Sequence, residues 1–393
     1  MTQTFRPLAG IRVVEMSHMI MGPSCGMFLG YLGAEVIKVE PPQGDNTRKL
    51  TGMGRPMFPL FNRGKKSVTI DVKTQEGRQA LEKLLATADV FVENFRDASL
   101  TKAGVDAATL RQKFPGLIFA ACKGFLSGPY QNRTALDEVV QMMTGLAYMT
   151  GPTGRPLRVG SSANDIMGGL FAAFSVLAAL MERKDTGKGR EVRVGLFENC
   201  LLLVAQHMVQ FELEGKNPPP MPEREFSWPV YDIFTDRDGK QIFVGAVTEG
   251  QWASICKLLG LSDLLEDPRL QTRMDQITAR DWTIPLVAEK IAGLSVDELA
   301  PQFEAAGLPF SPISKPCDMY DDPHVMRPGG IATSAYEDTT FRAPALPFEV
   351  DGNMLTGGGD VPVIGRDNDE VLGALGLDAT QIEVVTGRKA EAA

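Results

Sequence analysis

Histidine and cysteine are scarce in this chain, and what there is lies scattered. The 393 residues hold three histidines, His18, His207 and His324, too dispersed to suggest a metal site. Five cysteines, Cys25, Cys122, Cys200, Cys256 and Cys317, stand singly with no zinc-like pairing and read as reduced thiols. Basic charge is in deficit: 40 Lys and Arg against 49 Asp and Glu give a formal net charge of −9, with no basic stripe. That argues against a nucleic-acid partner, although local Arg and Lys can still hold small anions. The opening MTQTFRPLAGIRVVEM places charge where a secretory signal needs an apolar core, so a cytoplasmic protein is expected. Internal repeats and low-complexity segments are also missing. What remains, 44% hydrophobic and 23% charged, is the composition of a soluble globular protein long enough for two domains.

What is present first is a β/α rhythm. IRVVEM reads as a buried strand, MGPSCGMFLGYLG as a small-residue helix and AEVIKVE as a second strand ending at Glu40. SVTIDV, DVFVENF and LIFAACKGF continue the series around a QEGRQALEKLLATA helix. The fold class expected is α/β: a large, doubly wound Rossmann-like domain plus a smaller α+β domain. Ligands of such sheets sit beyond the carboxyl ends of the strands, where Ser17, His18, Glu40, Asn94, Phe95, Arg96 and Lys123 fall. The first strand-to-helix turn, MSHMIMGPS, lacks the glycine fingerprint of a nicotinamide site. Another strand and helix follow in TGKGREVRVGLFEN, running to about Leu213. Prolines in GKNPPPMPEREFSWP then break the pattern. The boundaries read are 1–213 for the N-terminal part of the large domain, 214–230 for a linker, 231–322 for the small domain and 323–393 for a linker and C-terminal return. Within the small domain, YDIFTDRDGKQIFVGAV reads as a hairpin turned at Asp238 and Gly239, and VDELAPQFEAA as a helix. The proline- and glycine-rich tail closes with DNDEVLGALGL as a helix.

The segment SSANDIMGGLFAAFSVLAALMERKDTGKG sets a single acid, Asp165, before an apolar run. An Asp in that place ordinarily caps a helix by accepting hydrogen bonds from its first amides. Ile166 to Met181 is apolar on all sides apart from Ser175, so the helix is expected deep in a core, too short and glycine-interrupted to span a membrane. Gly168 and Gly169, one turn inside, weaken the helix and let a substrate approach its backbone. Capping and chemistry both remain open for Asp165 on these grounds.

Several phrases together, GIRVVEMSHMIMGPSCGMFLGYLGAEVIKVEPPQGDNTR, SVTIDVKTQEGR, DVFVENF, ANDIMGGLFAAFSVLAALMERKDTGKG and PVIGRDNDEVLGALGL, resemble the class III CoA-transferases in the same order over nearly the whole chain. The resemblance implies a CoA-transferase working without metal or tightly bound cofactor, with coenzyme A and acyl-CoA as substrates. It also implies an interlocked homodimer and no membrane partner. It assigns the catalytic carboxylate to Asp165, which would attack an acyl-CoA thioester, form a mixed anhydride and then an aspartyl-CoA thioester. Helix-start amides would favour its ionised form, and amides near Gly168 and Gly169 would hold the tetrahedral oxyanions. Asp137, in RTALDEVVQ, matches an acidic position near the active site, or is a plain helix-start acid. CoA contacts are implied for His18, for Met19, Ile20 and Met21 through their backbone, and for Ile70, Asn94, Phe95 and Lys102. Lys102 and Arg96 suit the CoA phosphates.

Departures limit what carries over. Pro41 follows Glu40 where some transferases have a basic side chain, so that CoA contact is either missing or supplied by Lys38 or Arg48; Thr134 also stands where some have a basic residue. PPPMPEREFSWPVYD has no counterpart of the four-glycine lid of the formyl-CoA enzyme, which leaves formyl and oxalate unassigned. Arg224 in this segment is a candidate clamp for a second carboxylate. A related α-methylacyl-CoA racemase would use a histidine where Leu136 stands. A non-catalytic acyl-CoA-binding protein is the third reading. The expectation taken forward is transfer of CoA from a small acyl-CoA donor to a small carboxylic acid, a dicarboxylate included, through Asp165.

Overall fold

The computed structural model describes residues 5–387. They divide into two units, one of residues up to 222 together with those from 323, the other of residues 223–322.

In the first unit β1 (Arg12–Met16), β2 (Glu35–Glu40), β3 (Lys66–Thr69), β4 (Val90–Glu93), β5 (Ile118–Lys123) and β6 (Glu191–Gly195) form one sheet in the order β3-β2-β1-β4-β5-β6. Every neighbouring pair is parallel. The helices are α1 (Met21–Tyr31), α2 (Met57–Asn62), α3 (Gln75–Leu85), α4 (Asp97–Ala103), α5 (Ala107–Lys113), α6 (Asp137–Thr144), α7 (Leu146–Thr150), α8 (Ala163–Thr186) and α9 (Leu196–Glu214). The central strands are continuous apolar runs because both faces are covered. One face packs Leu81 and Leu84 of α3 on Phe91 and Phe119. The other packs Cys25 and Leu29 of α1 with Ala172 and Val176 of α8 on Val13 and Val92. The strand order reverses between β1 and β4, so the turns leaving them part and open a crevice at their carboxyl ends.

The apolar helix differs from its sequence reading in three ways. Ser162 is the N-cap of α8, and Asp165 lies inside the first turn. At 24 residues the helix is long and apolar enough to cross a membrane by length and composition, and so is not too short. Only one side is buried; Leu170, Phe174 and Met181 are 52%, 65% and 69% exposed. The glycines explain the buried side: a Cβ on Gly168 would come 2.8 Å from Met21 Cε, and one on Gly169 would collide with Ser24 Oγ and lie 2.6 Å from the Met21 carbonyl. They let α1 cross α8 closely.

The tail adds structure that its prolines and glycines hid. β10 (Ile331–Tyr336) and β11 (Thr339–Pro344) form an antiparallel pair. Beyond them, helices Asn368–Gly373 and Ala379–Thr386 follow. Asp367 and Asn368 accept hydrogen bonds from the Ser67 and Thr69 amides at 2.7 and 2.8 Å, closing the outer edge of β3.

The second unit is a three-stranded antiparallel sheet of β7 (Val230–Thr235), β8 (Gln241–Ala246) and β9 (Phe310–Pro312) with helices over its own core of Trp252, Ile255, Val287 and Phe303. Asp236 ties the hairpin turn by accepting from the amides of Asp238, Lys240 and Val296. Helix Val296–Ala305 opens on a capping box of Ser295 and Glu298. The short β9 escaped the sequence reading, since three residues ending in proline carry no periodicity.

Candidate active site

The β1–α1 turn forms one wall of the crevice. Met19 sits in the left-handed region with φ of 61°, uncommon for a side chain of its size. Its amide donates to Thr47 Oγ1 at 3.0 Å, and that hydroxyl donates to Asp45 Oδ1 at 2.8 Å. Beneath lies a buried ionic cluster. Glu15 pairs with Lys65 at 2.6 Å and Lys38 at 3.4 Å, and Lys38 pairs with Asp45 at 3.1 Å and donates to the Ser17 carbonyl at 2.8 Å. Two acids balance two lysines. The cluster thereby pins the turn from below without leaving a net charge in the core.

The β4–α4 turn forms the facing wall. Asn94 exchanges two hydrogen bonds with the His18 backbone, accepting from its amide at 3.0 Å and donating to its carbonyl at 2.7 Å. This couples the two sides of the crevice. The ring of Phe95 stands 5.2 Å from that of His18. Burial lowers the His18 pKa, helped by Lys38 against the opposing pull of Asp45 and Asn94, so the imidazole is neutral near pH 7. Lys123, at the end of β5, bonds to Glu93, Asp97 and the Phe95 carbonyl and fixes this turn.

Between the walls is a cavity of about 620 Å³ lined by His18, Met19, Met21, Asn94, Phe95, Arg96, Asp137 and Asp165 among others. A second, of about 420 Å³, shares His18, Met19 and Phe95 and extends past Ile70, Glu40 and Asp45. Both lie in the range of small-molecule sites.

Asp137 and Asp165 meet in the first cavity. Asp137 Oδ2 accepts from the Asp165 amide at 3.1 Å, while its Oδ1 accepts from the Gln141 side chain. Gln141, wholly buried, also accepts from the Val159 amide at 2.9 Å, which ties the 152–162 segment to α6. Burial raises the Asp165 pKa to about 7, the Asp137 charge adds to the rise, and Arg158 opposes it. Helix-start amides therefore do not keep Asp165 ionised as expected from sequence: its own amide serves Asp137, and desolvation wins.

The remaining sequence candidates separate clearly. Gly168 and Gly169 lie beyond the first intrahelical bond, Ile166 N to Ser162 O, so their amides belong to the helix ladder and cannot serve as the expected oxyanion donors. Lys38, expected to reach CoA, is fully buried and held by Glu15, Asp45 and Ser17; Arg48 is bidentate to Glu40. Lys102 is exposed on α4 and lines neither cavity, and Ile20 packs against Met27 and Phe61. Arg96 donates to Thr134 Oγ1 at 3.0 Å across the cavity. Leu136, at the position of a racemase histidine, is 58% exposed beside Asp137. Arg224 belongs to the second unit, its guanidinium 4.8 Å from the Phe226 ring. Among the described residues no group of three or more His, Cys, Asp or Glu could hold a metal. Gln141, Arg158 and Thr47 escaped the sequence reading. Only the spacing of Gln141 one turn after Asp137 hinted at any of them.

Comparison with known proteins covers nearly the whole chain. The model of CoA-transferase family III matches residues 8–368. The succinate–glutarate CoA-transferase of Agrobacterium fabrum is 28% identical over 383 residues, covering 94% of this chain and 96% of that protein. The succinyl-CoA–D-citramalate CoA-transferase of Chloroflexus aurantiacus is 30% identical over 400 residues, covering 98% of each. Among solved structures, a CAIB/BAIF family protein from Brucella suis superimposes with a TM-score of 0.84 at 30% identity, covering 95% of this chain and all of that one.

Proposed function

Since this chain belongs to CoA-transferase family III, we propose that it moves CoA from a small acyl-CoA to a small carboxylic acid through covalent attack by Asp165. The observation that carries the reading is the placement of the Asp165 carboxyl. It lies in the cavity at the strand-order reversal, desolvated, with no hydrogen bond to its oxygens from the described residues. A carboxylate so little solvated is a better nucleophile than one capped by amides.

In the proposed sequence the Asp165 carboxylate adds to the thioester carbonyl, and CoA leaves as the thiolate, giving a mixed anhydride. The thiolate adds to the Asp165 carbonyl and releases the donor acid, leaving an aspartyl-CoA thioester. An incoming carboxylate repeats the exchange in reverse, so bonds and charge balance over the cycle. Asp137 holds the Asp165 backbone and raises the pKa of its side chain. His18, Met19, Met21, Asn94 and Phe95 shape the wall against which CoA would lie, Ile70 extends it, and Arg96 offers cationic charge to phosphates. Lys102, exposed on α4 and lining neither cavity, carries no part in this reading. The acceptor we favour is a small dicarboxylic acid, in keeping with the relatives named for succinate, glutarate and citramalate.

The same reading takes two copies of the chain as the working unit, threaded together as the family resemblance implies. The exposed apolar side chains Leu170, Phe174 and Met181 of α8, with Leu202, Met208 and Leu213 of α9, support it, since such a face is unusual on a monomer.

A second reading is proton transfer at the α-carbon of an acyl-CoA, favoured by one observation: His18 and Asp165 line the same cavity. One incubation separates the two. The pure protein is mixed in deuterated water with acetyl-, succinyl- and 2-methylacyl-CoA and a panel of small carboxylates, and the CoA pool is read by mass spectrometry. New esters of an added acid, without α-deuterium, are expected. Deuterium in an unchanged acyl-CoA with no new ester refutes the transfer.

A further inference from the structure

A third cavity, of about 110 Å³, lies among α1, the Arg63–Lys65 turn and Gly357–Gly358, and shares no lining residue with the two already described. Arg63 is its principal charge. The side chain is only 3% exposed. Its Nη2 donates to the Pro344 carbonyl at 3.1 Å, while Nε and Nη1 are buried and meet no protein acceptor. The guanidinium lies 5.4 Å from the Tyr31 ring and close enough to the Tyr31 hydroxyl to pull its pKa down against burial; that hydroxyl is otherwise buried without a partner.

No side chain of the described residues balances this cation. Neighbouring Lys65 is committed to Glu15, Asn62 and the Pro23 carbonyl, and the cluster of Glu15, Asp45, Lys38 and Lys65 is neutral by itself. Tyr31 cannot supply the charge, because burial raises its pKa and keeps the phenol protonated. A buried guanidinium with two unserved N–H groups and no counter-charge is strongly destabilising.

The wall opposite is built without side chains. Gly357, Gly358 and Gly359 have φ of 57°, 104° and 107°, a run of backbone that only glycine adopts readily. A Cβ on Gly357 would press 2.5 Å from the Tyr31 ring, and one on Gly64 would collide with the Gly358 carbonyl. The space is below the roughly 300 Å³ at which organic-ligand sites begin, yet ample for an ion with a few waters.

We propose that this cavity binds one small monovalent inorganic anion of the halide class, held by Arg63 Nε and Nη1 and by the Tyr31 hydroxyl. One uncompensated positive charge calls for one negative charge, which selects a monovalent ion. The anion fastens the Pro344 and Gly357–Gly358 segments to α1, the helix whose first residue, Met21, lines the cavity with Asp165.

The test uses bromide as the probe. Crystals of the whole protein soaked in sodium bromide should give an anomalous peak in contact with Arg63. In solution, thermal unfolding should shift upward with bromide at ionic strength held constant by a bulky organic anion. Well above the dissociation constant, each tenfold rise in bromide multiplies the folding constant about tenfold. Arg63→Met should abolish the dependence, and Tyr31→Phe, the milder change, should require about tenfold more bromide for the same shift. Water alone beside Arg63, a crystal peak with no stabilisation in solution, or equal bromide dependence in wild type and Tyr31→Phe would each overturn the proposal.

Discussion

Replacing Asp165 by Asn should abolish CoA transfer and at the same time stabilise the protein at alkaline pH. The native carboxyl titrates at about 7 against an ordinary 3.8, a rise of about 3 units caused first by burial and then by Asp137. Between those values the native state holds a proton that the unfolded chain gives up, so this group's contribution to stability falls as pH climbs from about 4 to about 7. Above pH 7 the full cost of a desolvated carboxylate is present. At about 1.4 kcal/mol per unit the shift corresponds to about 4 kcal/mol. Asp165 is half-buried, so solvent screening reduces the expected effect to about 2 kcal/mol. Asn is neutral at every pH. Urea unfolding should therefore show Asp165→Asn more stable than wild type by about 2 kcal/mol at pH 8 and nearly equal to it at pH 4. Transfer activity, read from the CoA pool by mass spectrometry, should drop by about 10³-fold or more, as when other covalent nucleophiles are removed. On the proposed mechanism, wild-type activity should climb with pH through about 7 as Asp165 ionises. An Asn variant with a tenth of wild-type activity, or with no pH-dependent gain in stability, would refute the reasoning.

Asp137→Asn removes the negative neighbour that raises the Asp165 pKa, so the midpoint of the pH–activity curve should move to lower pH; an unmoved midpoint in stopped assays across pH 5 to 8 would show that burial alone sets it. Gly169→Ala drives a methyl against Ser24 Oγ and the Met21 carbonyl, and denaturant titration should find it at least 1–3 kcal/mol less stable. Adding Ser24→Gly should restore only part of that, because the Met21 contact is backbone. Arg96→Ala should raise KM for acyl-CoA about tenfold with less effect on kcat, whereas Lys102→Ala, outside both cavities, should change KM by less than about threefold; the reverse order in steady-state kinetics would place the phosphates on α4.

The sheet was legible because β-strands buried on both faces advertise themselves. VVEM in β1, VIKV in β2 and FAAC in β5 are short runs, mostly apolar, separated by helix-length segments, and the strand ends carry polar residues that the order reversal brings together. The tail was less legible, because β10 and β11 are antiparallel and half-exposed, with alternation broken by a turn and prolines. Of the residues lining the cavity, His18, Asn94 and Phe95 could be picked out, since each lies within two residues of a strand's end. Lys38 could not be judged from sequence: a lysine in a strand ordinarily reaches solvent, and only the fold surrounds this one with Glu15, Asp45 and the Ser17 carbonyl.

Sequence by itself thus determined the local grammar of the large sheet: where its six strands run, that two glycines stand near the start of α8, and that Asp165 is the acid there. Tertiary structure alone decided what those residues do to one another. It spent Gly168 and Gly169 on the crossing with α1, and it turned the Asp165 amide toward Asp137, 28 positions away. It also raised the Asp165 pKa through burial that no local pattern records. Propensity and capping act over a few residues, whereas desolvation and charge proximity depend on segments joined only when the sheet closes.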